Sequence, residues 1–191
     1  MELVTERLIL REFKENDWPD VLAYQSAPLY LRYYEWTEKR PEAVREFVHI
    51  FLAQQKEQPR SKFQLAVTLK PNLQLIGSCG IRTKSAVARE GDIGYELSPQ
   101  HWGQGYATEA ARAVLQFGFA ELALHRVWAC CIADNARSAR VLERLGMRLE
   151  GRLREKEHFK GRWWDTLLYA ILDHEWRAHQ TASRPGRADN S

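Results

Sequence analysis

The sequence predicts an α/β domain, α+β in its detail, with a mixed central sheet of about seven strands and helices on both faces. Three observations predict it. The periodicities run β-α-α-β-β-β-α-β-α-β-β along the chain, with strands grouped in the middle and alternating with helices later. A glycine pair, Gly103 and Gly105, falls where a strand pattern passes into a helix pattern. The run at 125–133 is β-rich and apolar on both faces, as an interior strand must be.

Each element has its own signal. Residues 6–13 alternate, with Leu8 and Leu10 on one face and Arg7, Ile9 and Arg11 on the other. Asn16-Asp17 caps a short helix to about Gln25. Residues 28–38 form an aromatic-dense connector. Pro41 suits a first helical turn, and Val44, Phe47, Val48, Phe51 and Leu52 give the stripe of an amphipathic helix that ends before Pro59. Two strands, 62–69 and 73–82, flank the turn Lys70-Pro71-Asn72. A further strand covers 91–97. After the glycines, Ala107, Ala110, Ala111, Val114, Leu115, Gly118 and Leu122 share one helical face. Asp134-Asn135 caps a helix to Leu145 that Gly146 closes. The last two strands, 147–157 and 166–173, are joined by a loop at 160–165. One domain is expected over 1–180, followed by a mobile tail at 181–191.

Composition narrows the function. Hydrophobic residues make 45% and charged residues 28% of the chain, so a packed globular domain is expected. A net charge of +3 argues against a nucleic-acid partner but suits a small anionic cosubstrate. Arg137, Arg140, Arg144, Arg148, Arg152 and Arg154 interleave with glutamates and read as a solvated face. The three cysteines, Cys79, Cys130 and Cys131, are read as buried reduced thiols of a cytoplasmic protein. No stretch has the length of a membrane span, so no membrane partner is expected, and residues 1–7 are charged too early for a signal peptide.

The glycine turn carries the first chemistry. A turn that opens a helix leaves N–H groups without intrahelical partners, and the helix dipole adds positive charge there. The two together cradle a phosphate or pyrophosphate. A dinucleotide fingerprint would need a third glycine where Thr108 stands, and no run matches a nucleotide P-loop. The second segment is Asp134-Asn-Ala-Arg-Ser-Ala-Arg-Val-Leu-Glu-Arg-Leu-Gly146. Ser138, Val141, Leu142 and Leu145 share its inward face. Read alone, Asn135 is a helix cap and Ser138 bonds back to its own helix.

Gln100-x-x-Gly103-x-Gly105 resembles the acyl-CoA pyrophosphate loop of the GNAT N-acetyltransferases, and Asn135-x-x-Ser138 resembles a segment of the same family. Thr5-Glu-Arg-Leu-Ile-Leu-Arg11, Ile93-Gly-Tyr95, Glu150-Gly151 and Trp164-Asp165 with Tyr169 agree with it, over about residues 5–176. The branch resembled is that of the RimJ/RimL ribosomal-protein N-terminal acetyltransferases. The resemblance implies acetyl-CoA as cosubstrate, no metal, and direct transfer to an amine without an acyl-enzyme. It implies that Leu97, Ser98, Gly103, Gln104, Gly105, Tyr106, Ala107, Thr108 and Asn135 hold acetyl-CoA, and that Ser138 assists the leaving thiolate. Glu157 takes the place of the family's general base, and Glu96 is the second candidate; a register slip of one residue would turn Glu157 to the other face. Tyr33, Tyr34, Trp36 and Trp164 are the expected wall of the acceptor site. The acceptor implied is a protein N-terminal α-amine, ribosomal or other, or a small-molecule amine. Rings of this kind also suit core packing or a homodimer contact. A non-catalytic acyl-CoA-binding regulator is the alternative on the same fold; such a protein would be expected to lack Ser138 and the nearby carboxylate.

Overall fold

The computed structural model describes residues 1–85 and 87–182. From residue 183 onward the segment expected to be a mobile tail lies outside the described residues.

Eight strands form one sheet: β1 (Glu2–Val4), β2 (Leu8–Glu12), β3 (Lys62–Leu69), β4 (Leu75–Thr83), β5 (Glu90–Leu97), β6 (Arg126–Ile132), β7 (Arg148–Phe159) and β8 (Arg162–Leu172). Their order is β1-β2-β3-β4-β5-β6-β8-β7. Every neighbouring pair is antiparallel except β5 and β6, which are parallel and joined through a helix. The eighth strand, β1, is too short for alternation to reveal it. It pairs with β2 across a turn in which the Thr5 hydroxyl accepts from the Leu8 N–H at 3.0 Å.

The helices are α1 (Trp18–Gln25), α2 (Pro28–Leu31), α3 (Pro41–Gln54), α4 (Tyr106–Ala120), α5 (Ala136–Arg144) and α6 (Asp173–Ala182). The single turn α2 interrupts the aromatic connector. On one face of the sheet, α1, α2 and α3 bury Val21, Tyr24, Tyr30, Leu31, Val44 and Val48 against Ala66 and Leu75. On the other, α4, α5 and α6 bury Ala111, Leu115, Leu142 and Trp176 against Leu65, Cys79, Ile81 and Val127. The pleat sorts the side chains: Cys79 and Tyr95 oppose each other toward the second core, Ser78 and Glu96 toward the first.

The last hairpin departs from expectation. Residues 162–165 belong to β8, and the turn is only Lys160-Gly161, with φ of +52° and +74°. Two consecutive left-handed residues make the tight turn whose twist matches that of the paired strands.

Candidate active site

The site begins where two strands part. β5 and β6 pair only from Glu90–Arg126 to Asp92–Trp128; beyond that they diverge into a wedge through the sheet. The Ser98 N–H donates to Ile76 O on the β4 side at 2.7 Å. Backbone direction alternates along a strand, so the Leu97 N–H turns the other way, into the wedge. A cleft of about 1340 Å³ runs through it, with Leu97, Tyr106 and Ser138 on one side and Tyr34, Glu96 and Glu157 on the other.

Backbone shapes the first side. Gly103 and Gly105 have φ of +78° and +85°, a region that glycine enters without steric cost. Gly105 caps α4 without a side-chain partner, and the first intrahelical bond is Glu109 N–H to Gly105 O at 3.0 Å. The N–H groups of Tyr106, Ala107 and Thr108 therefore precede the helical ladder and open toward the cleft. A Cβ built on Gly103 would meet nothing within 4 Å, so the turn lies open to a ligand. An anion fits here by both geometry and charge.

Arg7, in the bend between β1 and β2, holds the glycine turn in place. Its guanidinium donates to Glu109 Oε2 and to Gln104 O, at 2.7 and 3.0 Å, and lies 4.5 Å from the Tyr106 ring centre. The Thr5 hydroxyl and the Arg7 backbone N–H donate to Glu109 Oε1, at 2.6 and 2.8 Å. Burial pushes the Glu109 carboxyl up, but Thr5 and Arg7 outweigh it and hold it below its ordinary range. Arg137, Arg140 and Arg144 of α5 border the same side. All three are exposed, as a solvated face requires, and Arg137 has an aromatic partner, its guanidinium 5.2 Å from the Trp102 ring centre. Ser98 and Gln104 do not line the cleft: Ser98 is tied to β4, and the Gln104 side chain donates to Gln100 O at 3.2 Å.

At the floor of the wedge, Asn135 Oδ1 accepts from the Ser138 N–H at 3.2 Å, so Asn135 is the α5 cap. The Ser138 hydroxyl meets the Tyr95 hydroxyl at 2.9 Å rather than its own helix backbone. Burial pushes the Tyr95 phenol well above its usual range, and the Ser138 bond opposes that only in part. Burial likewise pushes the Cys131 thiol up to about 11. Cys79 and Cys131 are buried, but Cys130 is exposed. The expectation of three buried thiols fails because β6 has lost its β5 neighbour at Cys130, whose face opens to the cleft.

Side chains from distant segments build the other side. Glu96 Oε1 accepts from the Tyr24 hydroxyl (2.6 Å), Gln25 Nε2 (3.1 Å) and the Ser78 hydroxyl (3.2 Å), and Oε2 accepts from the Tyr30 hydroxyl. Burial, then the Glu96 charge, raises the Tyr24, Tyr30 and Tyr34 phenols well above their ordinary value, so they remain donors. Tyr30, Tyr34 and Trp36 stack in sequence, with ring centres 4.7 and 5.3 Å apart. Tyr33 and Phe159 also line the cleft, and the Tyr33 hydroxyl donates to Asp134 O at 3.0 Å across its mouth. Trp164 lies behind them, buried, stacked on Phe159 at 5.0 Å and set edge-on to Tyr33 at 6.0 Å.

Glu157 lines this cleft from the β7–β8 hairpin, beside a bulge in β7. The β7–β8 register shifts between Leu153 and Glu157, and Glu155 has φ of +51°. Asp165 holds the bulge, accepting from the Glu155 N–H at 2.8 Å and from Arg152 Nε at 2.6 Å. Glu157 then opposes Trp164 and stays about half exposed, its nearest charge being Lys156 at 3.6 Å. Beside it, the Thr166 hydroxyl is buried and has no partner among the described residues.

A wedge between parallel strands, with an anion-binding turn at one side, is the build of an acyl-CoA-dependent transferase. The acetyltransferase (GNAT) domain family matches residues 7–148, and the chain belongs to that family. It is 36% identical over 178 residues to the uncharacterized N-acetyltransferase YnaD of Bacillus subtilis, a match covering 92% of this chain and 99% of that protein. A GNAT-family acetyltransferase of Bacillus anthracis superposes with a TM-score of 0.79 at 33% identity, over 91% of this chain and 99% of that one. The RimL ribosomal L7/L12 alpha-N-protein acetyltransferase, solved in complex with coenzyme A, shares the fold at a TM-score of 0.77 and 22% identity, over 90% and 98% of the two chains. The protein is an acetyl-CoA-dependent N-acetyltransferase. Among the described residues no helix is long and apolar enough to cross a membrane, and no group of His, Cys, Asp and Glu side chains is arranged to hold a metal ion.

Proposed function

We propose that one domain, residues 1–180, moves the acetyl group of acetyl-CoA directly to a cationic primary amine in the cytoplasm. The amine is a protein N-terminal α-amine, ribosomal or other, or a small-molecule amine. The observation that carries this reading is the pairing across the wedge: backbone donors and Ser138 on one side, two carboxylates and an aromatic stack on the other. The N–H groups of Tyr106, Ala107 and Thr108 take the pyrophosphate, and the nearby arginines complement its charge. The Leu97 N–H takes the thioester oxygen, where negative charge grows in the transition state.

The two carboxylates divide the work. Both Glu96 oxygens already accept bonds from Tyr24, Gln25, Tyr30 and Ser78. Glu96 therefore serves as a fixed anion that draws the ammonium in. Among the described residues, Glu157 has no hydrogen-bonding partner on its oxygens beyond the loose Lys156 pair, and it takes the proton that the ammonium must lose. Nitrogen then attacks the thioester carbon, the C–N bond forms and the C–S bond breaks. The electron pair stays on sulfur, which the Ser138 hydroxyl stabilises until it takes up the second proton, shed by the acylated nitrogen. Thiol release from acetyl-CoA, followed over N-terminal peptides, polyamines, aminoglycosides and amino-acid analogues, tests the reading. Turnover with a cationic amine class is expected; hydrolysis alone, at one rate whatever amine is added, overturns it.

A further inference from the structure

The hydrogen bonds at Ser138 do not fit a hydroxyl that works alone. The Tyr95 hydroxyl lies 3.0 Å from the Ser138 carbonyl oxygen and 2.9 Å from the Ser138 hydroxyl. A carbonyl oxygen can only accept, so the single Tyr95 proton goes to Ser138 O. The Ser138 proton then points at the Tyr95 oxygen or at the Cys131 sulfur beside it. In either arrangement it is committed within the protein rather than offered to a departing thiolate. For Ser138 to donate to a departing thiolate, its proton must turn out. That turn would take a donor from the Tyr95 oxygen or the Cys131 sulfur, and the phenol can support it by rotating its own proton from Ser138 O to Ser138 Oγ.

We propose that Tyr95 is the positioning residue of the leaving-group side, its phenol switching from the Ser138 carbonyl to the Ser138 hydroxyl as that hydroxyl turns to the thiolate. The inference rests on the role given to Ser138 above. A hydroxyl that receives a hydrogen bond becomes a better donor, because consecutive bonds polarise one another. Tyr95 is suited to this by its setting. It lies on β5, two residues before the Leu97 N–H, so the oxyanion donor and the leaving-group donor share one rigid strand. It is packed against the second core, with Cys79 in register on β4. The charged and titratable groups acting on it are Cys79, Cys131 and Tyr169, none of which is a cation. The phenol therefore keeps its proton throughout. The C–S electron pair ends on sulfur, the first ammonium proton goes to Glu157 and the second, shed by the acylated nitrogen, to sulfur; Tyr95 only redirects a hydrogen bond.

A double-mutant cycle on the whole chain tests this, with thiol release giving kcat and calorimetric titration giving acetyl-CoA affinity. Tyr95→Phe is expected to lower kcat about tenfold, the scale of one directed hydrogen bond, with acetyl-CoA affinity within about twofold of the parent. In the Ser138→Ala background, Tyr95→Phe should cost less than about twofold, because the residue through which it acts is gone. An equal loss in both backgrounds, or no loss in either, overturns the proposal. Tyr95→3-fluorotyrosine keeps the ring and strengthens the donor, which guards against a Phe variant that does not fold. It should raise kcat with Ser138 present and leave it unchanged in Ser138→Ala; a rise in both or in neither overturns the proposal. Ser138→Ala measured alone separates the two readings. If it is as fast as the parent, the Ser138 role and this inference fall together; if it is slow while Tyr95→Phe acts independently, only this inference falls.

Discussion

The two sides of the wedge are built from different materials. The proposed pyrophosphate side is backbone: two glycines with positive φ, the free N–H groups of one helix, and the Leu97 N–H. The proposed acceptor side is side chain: Glu96 of β5 is held by Tyr24 and Gln25 of α1, Tyr30 of α2 and Ser78 of β4. A backbone cradle accepts one chemical group and tolerates change in the residues around it. A side-chain pocket can be refitted to a new acceptor one residue at a time, while the cosubstrate and the fold are kept. The first three variants below therefore separate by which substrate each one affects.

The largest effect is expected at the proposed base. Glu157→Gln keeps the shape and removes the site for the proton, so kcat should fall by about 10²-fold or more with acetyl-CoA affinity unchanged. Glu96→Gln is the contrast. It removes the fixed anion and leaves the proton acceptor, so it should raise the amine KM roughly tenfold, the scale of a charge-assisted hydrogen bond, and change kcat less. If Glu96→Gln cripples kcat and Glu157→Gln is nearly silent, the base is on β5 and the division of work drawn above is reversed.

Next comes the backbone side. Valine at position 105 must either adopt a φ near +85° or rebuild the turn each time acetyl-CoA binds, and its Cβ would lie 3.3 Å from Arg7 Nη2. A left-handed conformation costs a non-glycine residue roughly 1–2 kcal/mol, more when it is β-branched. Gly105→Val should therefore weaken acetyl-CoA binding about tenfold or more by titration, and the amine KM should stay close to that of the parent. Equal loss on both substrates would mean that the turn organises the whole cleft rather than one side of it.

The same contrast explains what was legible in the sequence. Gly103, Gly105 and Asn135-x-x-Ser138 lie in short contiguous segments whose spacing states their geometry, so the turn, its helix and the α5 cap could be read directly. The Glu96 cage draws on residues up to 72 positions apart, from Tyr24 to Glu96, and no local period connects them. The aromatic connector was visible as composition. Which of its rings line the cleft was not, because Trp164 is held behind Tyr33 and Phe159 by stacking that only the fold creates. Glu157 is the clearest case. Counted regularly from Leu153–Thr166, Glu157 would pair with Arg162; the bulge at Glu155 adds two residues and pairs it with Trp164, and the carboxylate that holds the bulge is Asp165 on the neighbouring strand.

Asp165→Ala tests that dependence. It removes the acceptor for the Glu155 N–H and the partner of Arg152 without touching the cleft. The strand can then relax toward regular pairing, which counted from Leu153–Thr166 would set Glu157 opposite Arg162 instead of Trp164. A fall in kcat of about three- to tenfold is expected, with acetyl-CoA affinity unchanged, on the scale of one to two lost hydrogen bonds. If Asp165→Ala lowers kcat just as much in the Glu157→Gln background, Asp165 acts on something other than the direction of Glu157.

The smallest effect concerns the clasp under the glycine turn and appears in stability more than in rate. Burial of Glu109 acts against its ionised form, but the Thr5 hydroxyl and the Arg7 backbone and guanidinium favour that form more, so its folded pKa lies below the unfolded one. The sign follows: this stabilisation is fully present above the unfolded value near 4.5 and is lost as the pH falls through the folded value. The unfolding temperature should therefore drop on the acid side, between about pH 5 and 3, by more in the parent than in Glu109→Gln. At pH 7 the variant should unfold slightly earlier, and its acetyl-CoA affinity should fall by less than about threefold, because Arg7 still donates to Gln104 O when its carboxylate partner is gone. Thermal scans across pH, read against acetyl-CoA titrations at pH 7, check both. If the two proteins lose stability in parallel on acidification, Glu109 is not what links the first turn of α4 to the β1–β2 corner, and the glycine turn holds its shape without help from side chains.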